Sequence, residues 1–171
     1  GAHLTNDLSI GLQIHARRAD ELKKEEGAAL SDPAESGATI HLYGDLSIGD
    51  RTVRKSALNR ILEVRLDELF NLIREECGGI GSLRSAASRV VLTGGTSRLP
   101  KVDNLAEKVL GLPVRLARNP DWVAEELRDP EYSTVLGLMH FALQGHQDQP
   151  TSSTLPRKLR FIEKVSKILG G

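Results

Sequence analysis

The stretch RVVLTGGTSRLPKV, residues 89–102, decides how the chain is expected to fold. Its first part is an apolar run that predicts a short buried strand, and Gly94 and Gly95 follow that strand directly. A helix is predicted to begin after Pro100, because proline is favoured in the first turn of a helix. Glycine lets the backbone approach a ligand closely, and free N–H groups near a helix start favour anions. The stretch therefore predicts either a ligand-binding turn or an ordinary tight connection between a strand and a helix.

On both sides of this stretch, segments with apolar residues at helical spacing are interspersed with segments at strand spacing. This mixture indicates the α/β class. The predicted helices cover approximately residues 5–14, 15–26, 56–76, 101–110 and 133–143. The predicted strands cover approximately residues 39–43, 46–48, 51–54, 89–93 and 114–116. The segment 117–131 is predicted to be a loop that Trp122 anchors against the body.

Composition narrows the possible functions. The chain has 171 residues, of which 39% are apolar and 27% charged, so it can form a sizeable core. The 23 basic and 23 acidic residues cancel, which argues against a general nucleic-acid binder. Cys77 is the single cysteine, and the five histidines show no metal-ligand spacing, so no metal site and no catalytic residue is assigned. No apolar run is long enough to span a membrane, and the cytoplasm is the expected compartment.

The end of the chain has a different character from the body. Residues 144–156 are rich in Gln, Ser, Thr and Pro and are predicted to form a linker. Residues 157–171 carry five basic residues and one acidic residue at helical periodicity, and Lys164 and Lys167 lie opposite the apolar face. That apolar face consists of Phe161, Ile162, Val165, Ile168 and Leu169. The pattern favours a helix lying on anionic lipid, with a helix docked on the body as the alternative.

The segment GGTSRLP, residues 94–100, closely resembles the adenosine-binding motif of the actin/heat-shock-chaperone ATPase superfamily. The wider pattern resembles the bacterial cell-division family FtsA, over about residues 2–143. The segments that carry this resemblance are HLTNDLSIGL at the start, ADELKKEEG at 19–27, VRKSALNRILEVRLDELFNLIREE at 53–76, and LGLPVRLA and PEYSTVLGLMHFAL farther along.

The resemblance implies part of the actin/heat-shock-chaperone ATPase fold, with the first lobe absent. Residues 1–143 would form the second lobe, with a small outer subdomain inserted at about 14–80. Residues 144–156 would be a flexible linker, and 157–171 a membrane-targeting helix. An FtsA-like protein would tether the ring of FtsZ to the cytoplasmic face of the inner membrane at the division site. Its partners would be the C-terminal tail of FtsZ, other copies of itself in filaments, and anionic lipids, but not nucleic acid.

The resemblance also implies a nucleotide site. The intact family protein would use ATP and Mg²⁺, whereas this chain would retain neither tightly and would not turn ATP over. Arg98 would pack on the adenine face, and Asp20 and Lys23 would reach the ribose and the adenine edge. An exposed helical ion pair is the alternative for those two residues, which lie three apart on one helical face. The full set implied by the resemblance is Gly94, Gly95, Thr96, Arg98, Asp20, Lys23 and Lys24.

The helix at 56–76 and the strand before it supply a candidate partner surface. By the resemblance, Arg54, Arg60 and Arg65 would receive the tail of FtsZ, although these residues are also typical of a solvated helix face. Reversal of Arg60 and Arg65 to Glu is expected to weaken tail binding with little loss of stability. Two other functions stay open from the sequence: a chaperone-type ATPase lobe, and a PilM-like adaptor of pilus or secretion assembly.

Overall fold

The computed structural model describes residues 1–35, 37–43 and 49–144. The chain divides into two compact units, Gly1–Val135 and Leu136–Gly171. Of the second unit, the described part is residues 136–144, which end a helix and expose the apolar side chains of Leu138, Phe141 and Leu143. The predicted linker beyond Gln144 and the predicted membrane helix lie outside the described residues.

Six helices form in the described ranges. They are α1 (Ala2–Leu12), α2 (Ala16–Glu25), α3 (Lys55–Glu76), α4 (Gly79–Ala86), α5 (Val102–Leu110) and α6 (Ser133–Gln144). The first helix shows why these segments are helical, since Leu4, Leu8 and Leu12 recur every fourth residue and are all buried. Within the described residues, none of the helices is long and apolar enough to span a bilayer.

In the part of the chain that the structure describes, four strands form two small sheets. Strands β1 (Thr39–Leu42) and β2 (Arg51–Arg54) pair antiparallel, with Ile40 opposite Val53. Strands β3 (Val90–Leu92) and β4 (Val114–Leu116) pair parallel, with Val90 opposite Val114. Helix α5 connects β3 to β4, as a parallel pair requires. The carboxyl end of β3 leads directly into Gly94 and Gly95.

One continuous apolar core holds the first unit together. Helix α3 packs against α1 and α5, and Leu8, Leu58, Leu62 and Leu105 are completely buried among them. The polar side chain of Asn59 is also buried, and it accepts a hydrogen bond from the Ala28 N–H at 2.9 Å. This core therefore holds α1 and α2 against the unit of β3 and α5, which carries the glycine turn.

Most predicted elements are confirmed, and two predictions differ from the structure. Gly78 and Gly79 follow α3 closely and lead into α4, a helix that the sequence did not indicate. The loop 117–131 is anchored by the buried Val123, whereas Trp122 is 70% exposed. The predicted strand at 46–48 lies outside the described residues.

Candidate functional site

The glycine turn after β3 has a backbone geometry that suits glycine. Gly94 has φ 89° and ψ 170°, in the region that side chains disfavour. A 3₁₀ helix over Gly95–Arg98 follows, and the buried Ser97 hydroxyl donates to the Gly94 carbonyl at 2.7 Å. The chain thus forms a compact turn before α5 begins at Val102.

A cavity of about 500 Å³ opens beside this turn. Its wall includes Leu4 of α1 and the two lysines of α2. The remaining walls come from the glycine turn and from the segment before α6. The lining comprises Gly1, Leu4, Lys23, Lys24, Gly95, Thr96, Arg98, Leu99, Pro100 and Glu131. Its size lies within the usual range for small-molecule pockets.

Asp20 holds the two lysines of the cavity. Its carboxylate lies 2.6 Å from Lys23 Nζ and 2.5 Å from Lys24 Nζ. Thr5 of α1 completes the network, because its hydroxyl lies 3.0 Å from Asp20 Oδ1 and 2.7 Å from Lys23 Nζ. The hydrogen bond from Lys23, followed by that from Lys24, holds the pKa of Asp20 well below its ordinary value. Asp20 is therefore an ionised group that orients the lysines.

Arg98, which also lines the cavity, is held by two carboxylates. Its Nη1 donates to Glu131 Oε2 at 2.8 Å, and its Nε lies 3.4 Å from Asp129 Oδ2. These contacts, with the Glu131 hydrogen bond as the largest cause, raise the pKa of Arg98 above its ordinary value. The side chain remains 53% exposed, so the carboxylates fix it without covering it.

Asn119 connects the acidic segment to the glycine turn, and it belongs to no motif that could be recognised from sequence. Its side-chain amide donates to the carbonyls of Leu127 and Asp129, at 2.9 and 2.7 Å. Its Oδ1 accepts from the Ser133 hydroxyl, which in turn accepts from Thr93 at the end of β3. An isolated Asn in a loop carries no periodic signal, so only the fold reveals this role.

The structure brings together most of the nucleotide residues that the resemblance implied. Five of them line the cavity: Lys23, Lys24, Gly95, Thr96 and Arg98. Gly94 shapes the turn, and Asp20 lies behind the lysines as their partner. Lys23 is only 14% exposed, so its pair with Asp20 is more enclosed than the exposed ion pair considered from sequence.

The expected partner residues are in different environments. Arg60 is 67% exposed and pairs with Glu63, whereas Arg65 joins two helices by hydrogen bonds to Asp7 of α1 and Glu68 of α3. Both arginines line a groove of about 320 Å³ whose other walls are Asp7, Ile61, Val64 and Glu68. Arg54 is exposed at the end of β2 and is not part of that lining.

The expectation that reversing Arg65 leaves stability almost unchanged is wrong for this geometry. A glutamate at position 65 would face the carboxylates of Asp7 and Glu68, and like charges at that distance repel. The expected membrane residues lie outside the described part of the chain. Within the described part, no three His, Cys, Asp or Glu side chains are grouped to hold a metal ion.

Comparison with known proteins adds independent findings. A family model described as "Cell division protein FtsA" matches residues 1–137. Among curated relatives, cell division protein FtsA of Pseudomonas aeruginosa is 35% identical over 86% of this chain and 36% of the relative. The FtsA of Bacillus subtilis is 32% identical over 87% of this chain and 33% of the relative. The FtsA of Neisseria meningitidis is 31% identical over 92% of this chain and 39% of the relative. The chain thus spans between a third and two-fifths of the length of these relatives.

Solved structures show the fold. The crystal structure of MreB5 of Spiroplasma citri bound to ADP matches with a TM-score of 0.64 at 15% identity, over 86% of this chain and 46% of that chain. The crystal structure of the same protein bound to AMPPNP matches with a TM-score of 0.62 at 15% identity, over 85% of this chain and 44% of that chain. The chain therefore has part of an actin-like ATPase fold, and the fold-class prediction is confirmed.

Proposed function

The chain belongs to the FtsA family of cell division proteins, and from that premise we propose that it carries the adenosine-binding half of an ATP cleft. We further propose that it helps to tether the FtsZ ring to the cytoplasmic face of the inner membrane at the division site. The intact protein would bind ATP with Mg²⁺, self-associate into filaments and contact anionic lipids. The family match favours this interpretation over the chaperone-type lobe and the PilM-like adaptor.

The cavity beside the glycine turn is the observation that carries the nucleotide proposal. Its lining has three cationic side chains, and each of them is paired with a carboxylate of Asp20, Asp129 or Glu131. A site with balanced charge attracts a phosphate chain weakly, because the potential over the cavity is low. A polyphosphate is therefore expected to gain little affinity over a neutral nucleoside in this cavity.

Nuclear magnetic resonance titration of the full chain tests this proposal. Adenosine and ATP with Mg²⁺ should shift the amide signals of residues 94–98 and 23–24. Each ligand should have a Kd weaker than about 1 mM, corresponding to less than roughly 4 kcal/mol of binding free energy. Their affinities should agree within about threefold, since screening and charge balance leave little net attraction for phosphate. No ATP turnover is expected.

Two outcomes would contradict this view. Absence of shifts at these amides at saturating adenosine would remove the nucleoside site. A micromolar Kd for ATP would show that the chain also binds the phosphate groups. Arg98→Ala should weaken adenosine binding, whereas Arg84→Ala is the matched control, because Arg84 contacts the Gly111 carbonyl and does not line the cavity.

The groove between α1 and α3 is our proposed site for the tail of FtsZ. It combines the apolar side chains of Ile61 and Val64 with the exposed cation Arg60, which suits an acidic and apolar peptide. Arg60→Glu should weaken binding of a tail peptide in fluorescence anisotropy, and it should change the unfolding free energy by less than about 1 kcal/mol because the Arg60–Glu63 pair is exposed. Arg17→Glu, an 87% exposed charge on α2, should leave binding unchanged. Equal affinity of the wild type and the Arg60 variant would remove Arg60 from the site.

A further inference from the structure

Two carboxylates bind the edge of the Arg98 guanidinium. Glu131 accepts from Nη1 at 2.8 Å, and Asp129 lies 3.4 Å from Nε. The N–H bonds of a guanidinium lie in its plane, so partners at its edge fix the orientation of that plane. Partners in the plane do not themselves cover the faces of the group, and a guanidinium face can stack on an aromatic ring. The 53% exposure of the Arg98 side chain agrees with this arrangement.

The segment that carries these carboxylates is itself fastened to the glycine turn. The Gly94 N–H donates to the Pro130 carbonyl at 3.0 Å, between the two acidic residues. Asp129 Oδ1 accepts from the Glu131 N–H at 3.0 Å, and the Asp129 carbonyl accepts from Asn119. Arg98 and its two partners therefore lie on two segments that a backbone hydrogen bond joins.

We propose that Asp129 and Glu131 are positioning residues that hold Arg98 as a preformed platform for the base of the bound nucleoside. The inference rests on the proposed nucleoside site and adds residues that sequence reasoning did not assign. An arginine without these partners samples many rotamers, and binding then has to immobilise it. A preformed guanidinium avoids that loss when the base stacks on it.

A double-mutant cycle tests the positioning role with adenosine as the probe. Glu131→Gln keeps the size of the side chain and removes its charge, and it should weaken adenosine binding by about threefold to tenfold, the range expected for immobilising one long side chain. In an Arg98→Ala background the same change should alter the affinity by less than about twofold, because the group it positions is absent. Asp129→Asn should behave like Glu131→Gln.

Two further measurements separate positioning from general structure. The Nε–Hε signal of Arg98 should move in Glu131→Gln, while the amide signals of α3 and α5 stay in place. Glu21→Gln is the matched control, because Glu21 pairs with Arg17 and Arg18 on α2 and does not line the cavity. It should bind adenosine like the wild type.

The outcomes distinguish the inference from its premise. If the wild-type chain does not bind adenosine, the proposed nucleoside site fails and the positioning role fails with it. If the wild type binds and Glu131→Gln binds equally well, the positioning role alone is overturned. The positioning role is also overturned if Glu131→Gln weakens adenosine binding as much in the Arg98→Ala background as in the wild type. Glu131 would then act independently of Arg98.

Discussion

Gly27 has to be glycine because the backbone passes too close to its neighbours for a β-carbon. A β-carbon there would lie 2.9 Å from Leu62 Cδ1 and would overlap the Lys23 carbonyl oxygen. The next residue is fixed as well, since the Ala28 N–H donates to the buried Asn59. This contact between the segment after α2 and the second turn of α3 holds the lysine-bearing helix against the core.

Replacement of Gly27 by Ala should therefore destabilise the chain. The overlap with backbone forces a shift in a packed region, which costs about 1–3 kcal/mol of unfolding free energy. Gly95→Ala is the matched control, because its β-carbon would meet its nearest neighbour, Glu131 Cβ, at an ordinary 3.9 Å. That variant should stay within about 0.5 kcal/mol of the wild type. Urea unfolding measures both, and equal midpoints for the two variants would refute the close-approach argument.

Single residues of the site were predictable where a short motif contained them, and their partners were not. The family resemblance of GGTSRLP and of the segment with Asp20 and Lys23 pointed to the cavity, whereas the spacing of those residues alone left a tight turn and an exposed ion pair open. Asp129 and Glu131 lie more than thirty positions after Arg98, and nothing local indicates that they meet it. Long-range polar contacts depend on the fold, and one sequence carries no direct signal for them.

At the scale of elements, Arg65 connects α3 to α1. Its guanidinium bonds Asp7 of α1 through two nitrogens, and these hydrogen bonds raise its pKa above the ordinary value. Bidentate pairs of this kind are stronger and more directional than single contacts. The pair therefore fixes the relative position of α1 and α3. Both helices line the groove, and α1 also lines the cavity.

Arg65→Ala should lower the unfolding free energy by about 1–2 kcal/mol, the scale of a partly exposed, charge-assisted hydrogen bond. Arg60→Ala is the matched control, because its pair with Glu63 lies on an exposed helix surface and exposed pairs contribute less than about 1 kcal/mol. In a cycle with Asp7→Ala, the Arg65 effect should largely disappear. If Arg65→Ala unfolds at the same urea concentration as Arg60→Ala, the two helices are not held by this pair.

Elements with an amphipathic or apolar pattern were predictable, and one without such a pattern was not. The buried residues Leu58, Leu62, Leu66 and Phe70 repeat along α3 and marked it clearly. Helix α4 has the sequence GIGSLRSA, which is rich in glycine and serine, and buries none of its residues. Its glycine and serine residues have low intrinsic helix propensity, so its helical form depends on its surroundings in the fold.

At the scale of the whole molecule, charge separates the body from the end of the chain. Residues 157–171 have a net charge of +4, so the preceding 156 residues have a net charge of −4. The apolar face of the basic segment spans roughly 120° of a helical wheel. Family membership strengthens the proposal that this segment contacts anionic lipid, and a test of that proposal has to separate apolar insertion from charge alone.

Residues 157–171 should become helical on anionic vesicles, because short isolated helices are marginal in water and an interface supplies the missing stabilisation. Each of the five side chains of its apolar face contributes on the order of 1.5–3 kcal/mol at full burial and less at an interface. Each basic residue adds about 1 kcal/mol near an anionic leaflet. Ordering the segment offsets part of this, so binding should be reversible, and circular dichroism with and without vesicles should report the helix.

Phe161→Glu, Ile168→Glu and deletion of residues 157–171 should each abolish sedimentation with anionic liposomes while the body stays folded. Ser166→Glu is the control for charge, because it makes the same charge change without removing a large apolar side chain, and it should retain most of the binding. Liposomes of neutral lipid should bind the wild type more weakly, since the basic residues then lose their attraction. If the truncated chain sediments as well as the wild type, the contact with lipid lies elsewhere and a helix docked on the body is the better interpretation of residues 157–171.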